Sequence, residues 1–425
     1  MTGSLTLAPV GPVTGAVEAP ASKSVSNRLL VLAALASGSS RLSGLLVSDD
    51  TLAMAEGLRS FGAGIEDTGA GGVVVVGTGG QLQQPAGVVA AGLSGTTLRF
   101  LACLTLLAPG PVTLDGEPPL RRRPLAPLLS ALGALGAKVD SSGGFPPVTI
   151  TPAGLPGGRV VVDAAASSQF VTGLLLVAPF ANARTTIAVE NLGAGGYVEL
   201  TVAAMRRWGA EVAATPAGYE VAADRRYGAR DETAEYDASA AAHLFALALA
   251  TGGSLTVSNA TQTLQPDAGV VEVFGQMGAE VSQGPSGLSL SRPGALRGVQ
   301  ADMSATPDQV PTLAALGALA EGTTRLTGVS VARGHETDRV AAIATELGRL
   351  GASVEIEDDA LVVAGGRRLH GGVVSTYEDH RMAMALSSVA AVVPGVTILD
   401  PGCVGKTYPN YWRDLEKLGL AGVSE

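Results

Sequence analysis

The sequence predicts a two-domain α/β protein assembled from six copies of one supersecondary unit. Three observations carry this. The chain has 425 residues, too many for one ordinary core. A glycine-terminated helix phrase recurs six times at a nearly constant period. A second kind of helix start, polar at its head and apolar along its body, recurs in step with it.

The first phrase reads LRSFGAGI, LGALGAKV, MRRWGAEV, FGQMGAEV, LGRLGASV and LEKLGLAGV, with Gly62, Gly136, Gly209, Gly278, Gly351 and Gly419 in the same place. Their positions differ by 74, 73, 69, 73 and 68 residues. Each reads as the last turn of an amphipathic helix, a glycine suited to the left-handed position after it, and then a strand. The second kind of helix starts at SKSVSNR, LSGTTLR, SSQFVTG, DASAAAH, TPDQVPT and YEDHRMA. Anchors at Ser24, Gly95, Ser167, Ser239, Asp308 and Asp379 step by 71, 72, 72, 69 and 71 residues. The runs that follow, such as LACLTLL and GLLLVAPF, are apolar on every side, which predicts helices buried inside a layer. GGVVVVG, RVVVDA, TTIAVE and ALVVAG supply strands. The unit is strand, buried helix, strand, surface helix, strands. Three units per domain would bring equivalent positive helix ends to one face, and a cleft between two such faces would suit a strongly anionic ligand.

Composition narrows the function classes. The net charge of −10 argues against a nucleic-acid surface. Two cysteines make neither a disulfide framework nor a metal quartet, and the four histidines have no metal-binding spacing. The opening MTGSLTLAPVGPVTG has no basic head or long apolar run, so no signal peptide is expected. No apolar stretch spans a membrane without interruption, and a soluble cytoplasmic protein is expected.

The polar helix starts hold the reactive groups. In PASKSVSNR, Ser24 or Ser26 would cap the helix, and Lys23 and Arg28 exceed what capping needs. Further cations are Arg99, Arg123, Arg339, Arg381 and Lys406, and the hydroxyls and amides include Thr96, Ser167, Ser168 and Gln169. The carboxylates are Asp308, Glu336 and Asp379. Arginine forks grip phosphate and carboxylate in two-point fashion, and Gly95 lets a ligand approach backbone N–H groups. Plainer readings stand beside these. RRRP at Arg121–Pro124 serves equally as a solvated charge run, and HETDR as a capped helix start whose Glu336 and Arg339 share a face. Asp308 would suit a helix dipole, and Cys103 in its apolar run is core.

Taken together, PASKSVSNR, SGTTLRF, RRRPLAPLL, ASSQFVTGLLL, HETDR, YEDHRMAMAL and GKTYPNYW closely resemble the 5-enolpyruvylshikimate-3-phosphate synthase family, in order from Lys23 to Lys406. The resemblance implies an inside-out α/β barrel of six βαβαββ units, with residues 22–236 in one domain and 1–21 with 237–425 in the other. It implies transfer of the enolpyruvyl group of phosphoenolpyruvate to the 5-hydroxyl of shikimate 3-phosphate. Asp308 matches the family's proton acceptor, Glu336 its proton donor, and Lys23 a catalytic contact to both substrates. Lys23, Ser24, Arg28, Ser167, Ser168, Gln169, Asp308 and His335 match the shikimate 3-phosphate side. Lys23, Gly95, Arg123, Gln169, Arg339, Arg381 and Lys406 match the phosphoenolpyruvate side. No metal or other cofactor is implied, and a monomer is expected.

The chain departs from the family pattern at four places. Leu93 precedes SGT where many members carry an asparagine-containing stretch; Ala194 stands where a substrate-binding serine is usual; Val331 replaces an asparagine; His335 replaces a lysine. The related transferase acting on UDP-N-acetylglucosamine usually has a cysteine in the loop corresponding to GEPPLRRRP, and this chain has none there. A silent anion-binding repeat protein is the other alternative, opposed by the presence of both Asp308 and Glu336.

Overall fold

The structure is a computed structural model that describes residues 3–193, 195–224 and 226–424. The chain divides into two compact units, Ala21–Glu235 and Met1–Pro20 with Tyr236–Glu425. Twelve α-helices lie among the described residues: α1 (Lys23–Leu35), α2 (Asp49–Ser60), α3 (Gly95–Leu104), α4 (Ala126–Ala134), α5 (Gln169–Val177), α6 (Gly196–Arg207), α7 (Ala238–Thr251), α8 (Val270–Gln276), α9 (Val310–Leu319), α10 (Arg339–Arg349), α11 (His380–Ala390) and α12 (Tyr411–Lys417).

Both recurrences in the sequence are structural. All six glycines stand two residues past the end of an even-numbered helix, just after its C-cap, with φ between +91° and +105°. In each, the next residue's N–H returns to a carbonyl five positions earlier: Ala63 to Leu58, Ala137 to Leu132, Ala210 to Met205, Ala279 to Phe274, Ala352 to Leu347 and Leu420 to Leu415. This closure satisfies carbonyls the helix end would leave open, and the backbone conformation it needs favours glycine. The odd-numbered helices are the buried ones. Every residue of α3 and α11 is buried, as the all-round apolar pattern predicts.

Among the described residues six four-stranded sheets, three in each unit, lie outside these helices, and all have one topology: a parallel pair followed by two antiparallel neighbours. Strand 158–163 pairs in parallel with 185–190, which pairs antiparallel with 218–221, itself antiparallel to 212–215. Solvent-facing valines such as Val76 and Val161 lie on outer faces while Val75, Val160 and Val162 are buried. Helices inside and sheets outside is the inside-out arrangement, three βαβαββ modules in each unit. Three modules borrow a strand from afar. Strand Glu232–Thr233 supplies the parallel edge of the first module's sheet, beside Leu42 and Ser43. Strand Ser4–Leu7 completes the last module's sheet between residues 396–399 and 422–424. A second N-terminal strand, Thr14–Val17, begins the module containing α7. Among the described residues no helix is long and apolar enough to cross a membrane.

Candidate functional site

In the Ala21–Glu235 unit the start of α1 is tied to α2 and α6, and the starts of α3 and α5 are tied to each other. Ser22 caps α1 through its Oγ to the Val25 N–H. This corrects the expectation of a Ser24 or Ser26 cap: Ser24 lies inside the first turn, and Ser26 Oγ instead accepts from the Leu46 N–H. Lys23 Nζ lies 3.1 Å from Asp50 Oδ2, on the first turn of α2. Arg28 is buried, donating to Thr201 Oγ1 (2.8 Å), Ser24 O (2.8 Å) and Tyr197 O (3.0 Å), with its guanidinium over the Phe100 and Tyr197 rings. Burial lowers its pKa to about 10, a shift that Tyr197 partly opposes.

Gln169 joins the next two helices. Its Oε1 accepts from Arg99 Nη1 at 2.7 Å and its Nε2 donates to Thr96 Oγ1 at 3.1 Å. Ser167 Oγ accepts from the Gln169 N–H, and Ser168 stands at the N-cap of α5. Gly95 opens α3 beside two guanidinia: a Cβ there would lie 2.9 Å from Arg123 Nη1 and 3.3 Å from Arg99 Nη1. The RRRP run is divided in use. Arg121 forms an exposed ion pair with Asp115, whereas Arg123 turns toward Gly95. Cys103 is fully buried and its thiol pKa is pushed up by burial, as a core residue requires. Leu93 is exposed, and Ala194 lies outside the described residues.

The other unit gathers its charges around one buried arginine. Arg339, only 1 % exposed, binds three carboxylates: Asp379 through Nε (2.8 Å) and Nη2 (3.2 Å), Asp308 through Nη1 (2.5 Å), and Glu336 through Nη2 (2.9 Å). Arg381 Nη2 donates to the other oxygen of Asp308 at 2.9 Å, and Lys406 Nζ to the other oxygen of Glu336 at 3.0 Å. His335 Nδ1 is 2.8 Å from Arg339 Nη1 and 3.1 Å from Asp308 Oδ1. Burial opposes ionisation of Asp308, but Arg381 and Arg339 outweigh it and hold the carboxyl well below the usual range. Val331 lies in a short 3-10 turn, Ser330–Gly334, just ahead of His335.

HETDR differs from expectation in one respect. The helix begins at Arg339, capped by Asp338, whose side chain accepts from the Ala341 N–H. Glu336 lies in the preceding turn, so it meets Arg339 by chain reversal and not as a neighbour on a helix face. Val340, Ile343, Leu347 and Leu350 are buried as the apolar face predicts.

Asp50 was not among the sequence-derived site residues, although it stands 12 residues before Gly62 just as Arg339 stands 12 before Gly351. Asp379 was noted only as a carboxylate; it anchors both Arg339 and the backbone N–H of Arg381.

The family model described as EPSP synthase (3-phosphoshikimate 1-carboxyvinyltransferase) matches residues 7–415. The chain belongs to the EPSP synthase family. Two relatives in the family, both named 3-phosphoshikimate 1-carboxyvinyltransferase, show its extent. The protein of Methanoculleus marisnigri is 38 % identical over 418 residues, covering 96 % of this chain and 98 % of its own. That of Methanosphaerula palustris is 39 % identical over 422 residues, covering 98 % and 99 %. A solved EPSP synthase structure from Acinetobacter baumannii superposes with a TM-score of 0.85 at 25 % identity, covering 100 % of both chains.

Proposed function

We propose that this chain transfers the enolpyruvyl group of phosphoenolpyruvate to the 5-hydroxyl of shikimate 3-phosphate, releasing inorganic phosphate, as a step toward chorismate and the aromatic amino acids. The observation that carries the reading is the pair of carboxylates, Asp308 and Glu336, both held by Arg339 and flanked by Arg381 and Lys406. Addition of a hydroxyl to an enol phosphate needs one base and one acid; elimination of phosphate needs them in reverse. Asp308 takes the hydroxyl proton as oxygen bonds to the phosphoenolpyruvate C2, and Glu336 delivers a proton to C3. The product of that step is a tetrahedral ketal. Glu336 then recovers a proton from the new methyl group as the C2–phosphate bond breaks, and the proton on Asp308 leaves with phosphate. Glu336 therefore has to be protonated when the reaction begins.

The ion pairs suggest how protonation becomes possible. Arg339, Arg381 and Lys406 spend their donors on carboxylates. The phosphate and carboxylate of phosphoenolpyruvate compete for those donors. As they draw the cations away, Asp308 and Glu336 gain proton affinity. Lys23, Gly95, Arg123 and Gln169 complete the phosphoenolpyruvate side of this reading. Lys23, Ser24, Arg28, Ser167, Ser168, Gln169, Asp308 and His335 serve shikimate 3-phosphate. A cytoplasmic monomer without a metal or other cofactor goes with the reading.

Purified protein supplied with both substrates should release phosphate and form the enolpyruvyl ether. No phosphate release from this pair, with release when UDP-N-acetylglucosamine replaces shikimate 3-phosphate, would overturn the assignment.

A further inference from the structure

The segment that delivers Asp379 and Arg381 is an unusual piece of backbone. Tyr377 and Glu378, neither a glycine, have φ of +54° and +58°. Consecutive left-handed residues with side chains are disfavoured and persist where surrounding contacts hold them. One contact is prominent. Glu346, fully buried on α10, accepts from Tyr377 OH at 2.6 Å and from the Ser375 N–H at 3.1 Å, and Arg349 Nη1 contacts both its oxygens at 2.9 and 2.8 Å. Glu346 is seven residues beyond Arg339, two turns along the same helix. Helix α10 therefore grips the segment twice, through Glu346 at 375–377 and through Arg339 at Asp379. Thr376 Oγ1 also donates to the carbonyl of Asp400 at 3.4 Å. Asp400 is itself left-handed at φ +49° and opens the 3-10 turn Pro401–Lys406.

We infer that Glu346 and Tyr377 are positioning residues for phosphoenolpyruvate binding, bracing a left-handed turn so that Asp379 meets Arg339 and Arg381 meets Asp308. Neither residue touches the reacting atoms. The inference rests on the reading of Arg339 and Arg381 as holders of phosphoenolpyruvate. Without the brace the turn relaxes toward ordinary φ values, and the register of Asp379 and Arg381 shifts by the same movement. Burying Glu346 is costly in isolation, and its three donors offset that cost only while Tyr377 and Ser375 stay in place.

The test compares wild type with Tyr377→Phe, Glu346→Ala and Glu346→Gln. It measures KM for each substrate, thermal midpoint, and the affinity for inorganic phosphate by calorimetry. Tyr377→Phe removes one partly exposed hydroxyl and should raise KM for phosphoenolpyruvate and weaken phosphate binding about tenfold, the equivalent of one lost hydrogen bond. KM for shikimate 3-phosphate should rise less, by about twofold, since most of its holders (Lys23, Ser24, Arg28, Ser167, Ser168 and Gln169) lie in the other unit. Glu346→Gln, which retains an acceptor oxygen, should recover most of the loss seen in Glu346→Ala. If Glu346→Ala does not fold, Tyr377→Phe decides alone. Unchanged phosphoenolpyruvate KM and phosphate affinity in Tyr377→Phe overturn the inference. So does a parallel rise of both KM values with a fallen thermal midpoint, the signature of general loosening. A wild type without turnover whose phosphate affinity still drops in Tyr377→Phe would refute the assigned reaction and leave the brace standing.

Discussion

Replacing Asp308 with asparagine removes one negative charge and almost no volume. In the wild type each carboxylate oxygen serves a different arginine, Arg339 at 2.5 Å and Arg381 at 2.9 Å. An amide has one oxygen, so its NH2 group must face one guanidinium, donor against donor. Arg339 keeps Asp379 and Glu336, whereas Arg381 loses a charged acceptor. A hydrogen bond between charged groups contributes about 1.5–3 kcal/mol, so the variant should lose stability in that range. The loss stays below the ~3–5 kcal/mol of a fully stranded buried charge, because the amide oxygen can still face Arg381 while its NH2 faces Arg339, which keeps Asp379 and Glu336. Stability should also converge at acid pH. Arg381 and Arg339 depress the folded-state pKa of Asp308 against the effect of burial. Its contribution is therefore complete above the unfolded value of about 3.9 and is lost as pH falls through the lower folded value. The asparagine has nothing to lose there. In turnover, removing a general base should lower kcat on the order of 100- to 10,000-fold. KM for phosphoenolpyruvate should not rise, because asparagine competes less than carboxylate for the arginines that hold the substrate. Phosphate-release kinetics and calorimetric unfolding from pH 7 to 3 measure all three. A kcat within about tenfold of wild type, with a raised KM, would remove Asp308 from the chemistry and make it a binding group.

Glu336→Gln should lower kcat by a similar ~100- to 10,000-fold, and near-full turnover would eliminate it as the proton donor. His335→Ala should weaken shikimate 3-phosphate binding about tenfold by calorimetry while His335→Lys retains it, and unchanged affinity in His335→Ala would leave His335 without a role in binding. Burial, aided by Arg381 and Arg339, holds the His243 pKa well below its ordinary value. The unfolded chain therefore binds a proton the folded one refuses. Stability from this residue falls as pH drops below about 6.5, by up to ~1.4 kcal/mol per pH unit. His243→Asn should show a shallower acid-side decline in unfolding free energy, and equal slopes would refute this account. Gly209→Ala forces a side chain into φ +102° and should cost about 1–2 kcal/mol in denaturant unfolding while leaving kcat unchanged.

The sequence by itself determined the repeated module, the buried and surface helices and most of the charged inventory. Those signals are local. A helix ends at Gly209 or Gly351 because the next turn needs a left-handed residue, and α3 is buried because every side of it is apolar. Family motifs are local too, so HETDR and YEDHRMAMAL could be read as site segments before any contact was known. The α1 cap falls at Ser22, two residues before Ser24 and four before Ser26; the three serines of PASKSVS offer similar hydroxyls, and what selects Ser22 is where the chain enters the helix, its N–H held by Glu235 O. The modules that borrow strands Ser4–Leu7 and Glu232–Thr233 could not be read from their own segments, since the partners lie far along the chain. Only the tertiary structure decided that Asp50 faces Lys23, that Asp379 and Asp308 converge on Arg339, and that Glu346 holds Tyr377 in its left-handed turn. Lys23 and Asp50, 27 positions apart, and Arg339 with Asp379 and Asp308, 40 and 31 away, meet because packed elements bring their starts to one end of a unit; Glu346 reaches Tyr377 from two turns further along α10. Burial then makes those pairings costly to break, which a linear pattern of charges does not record.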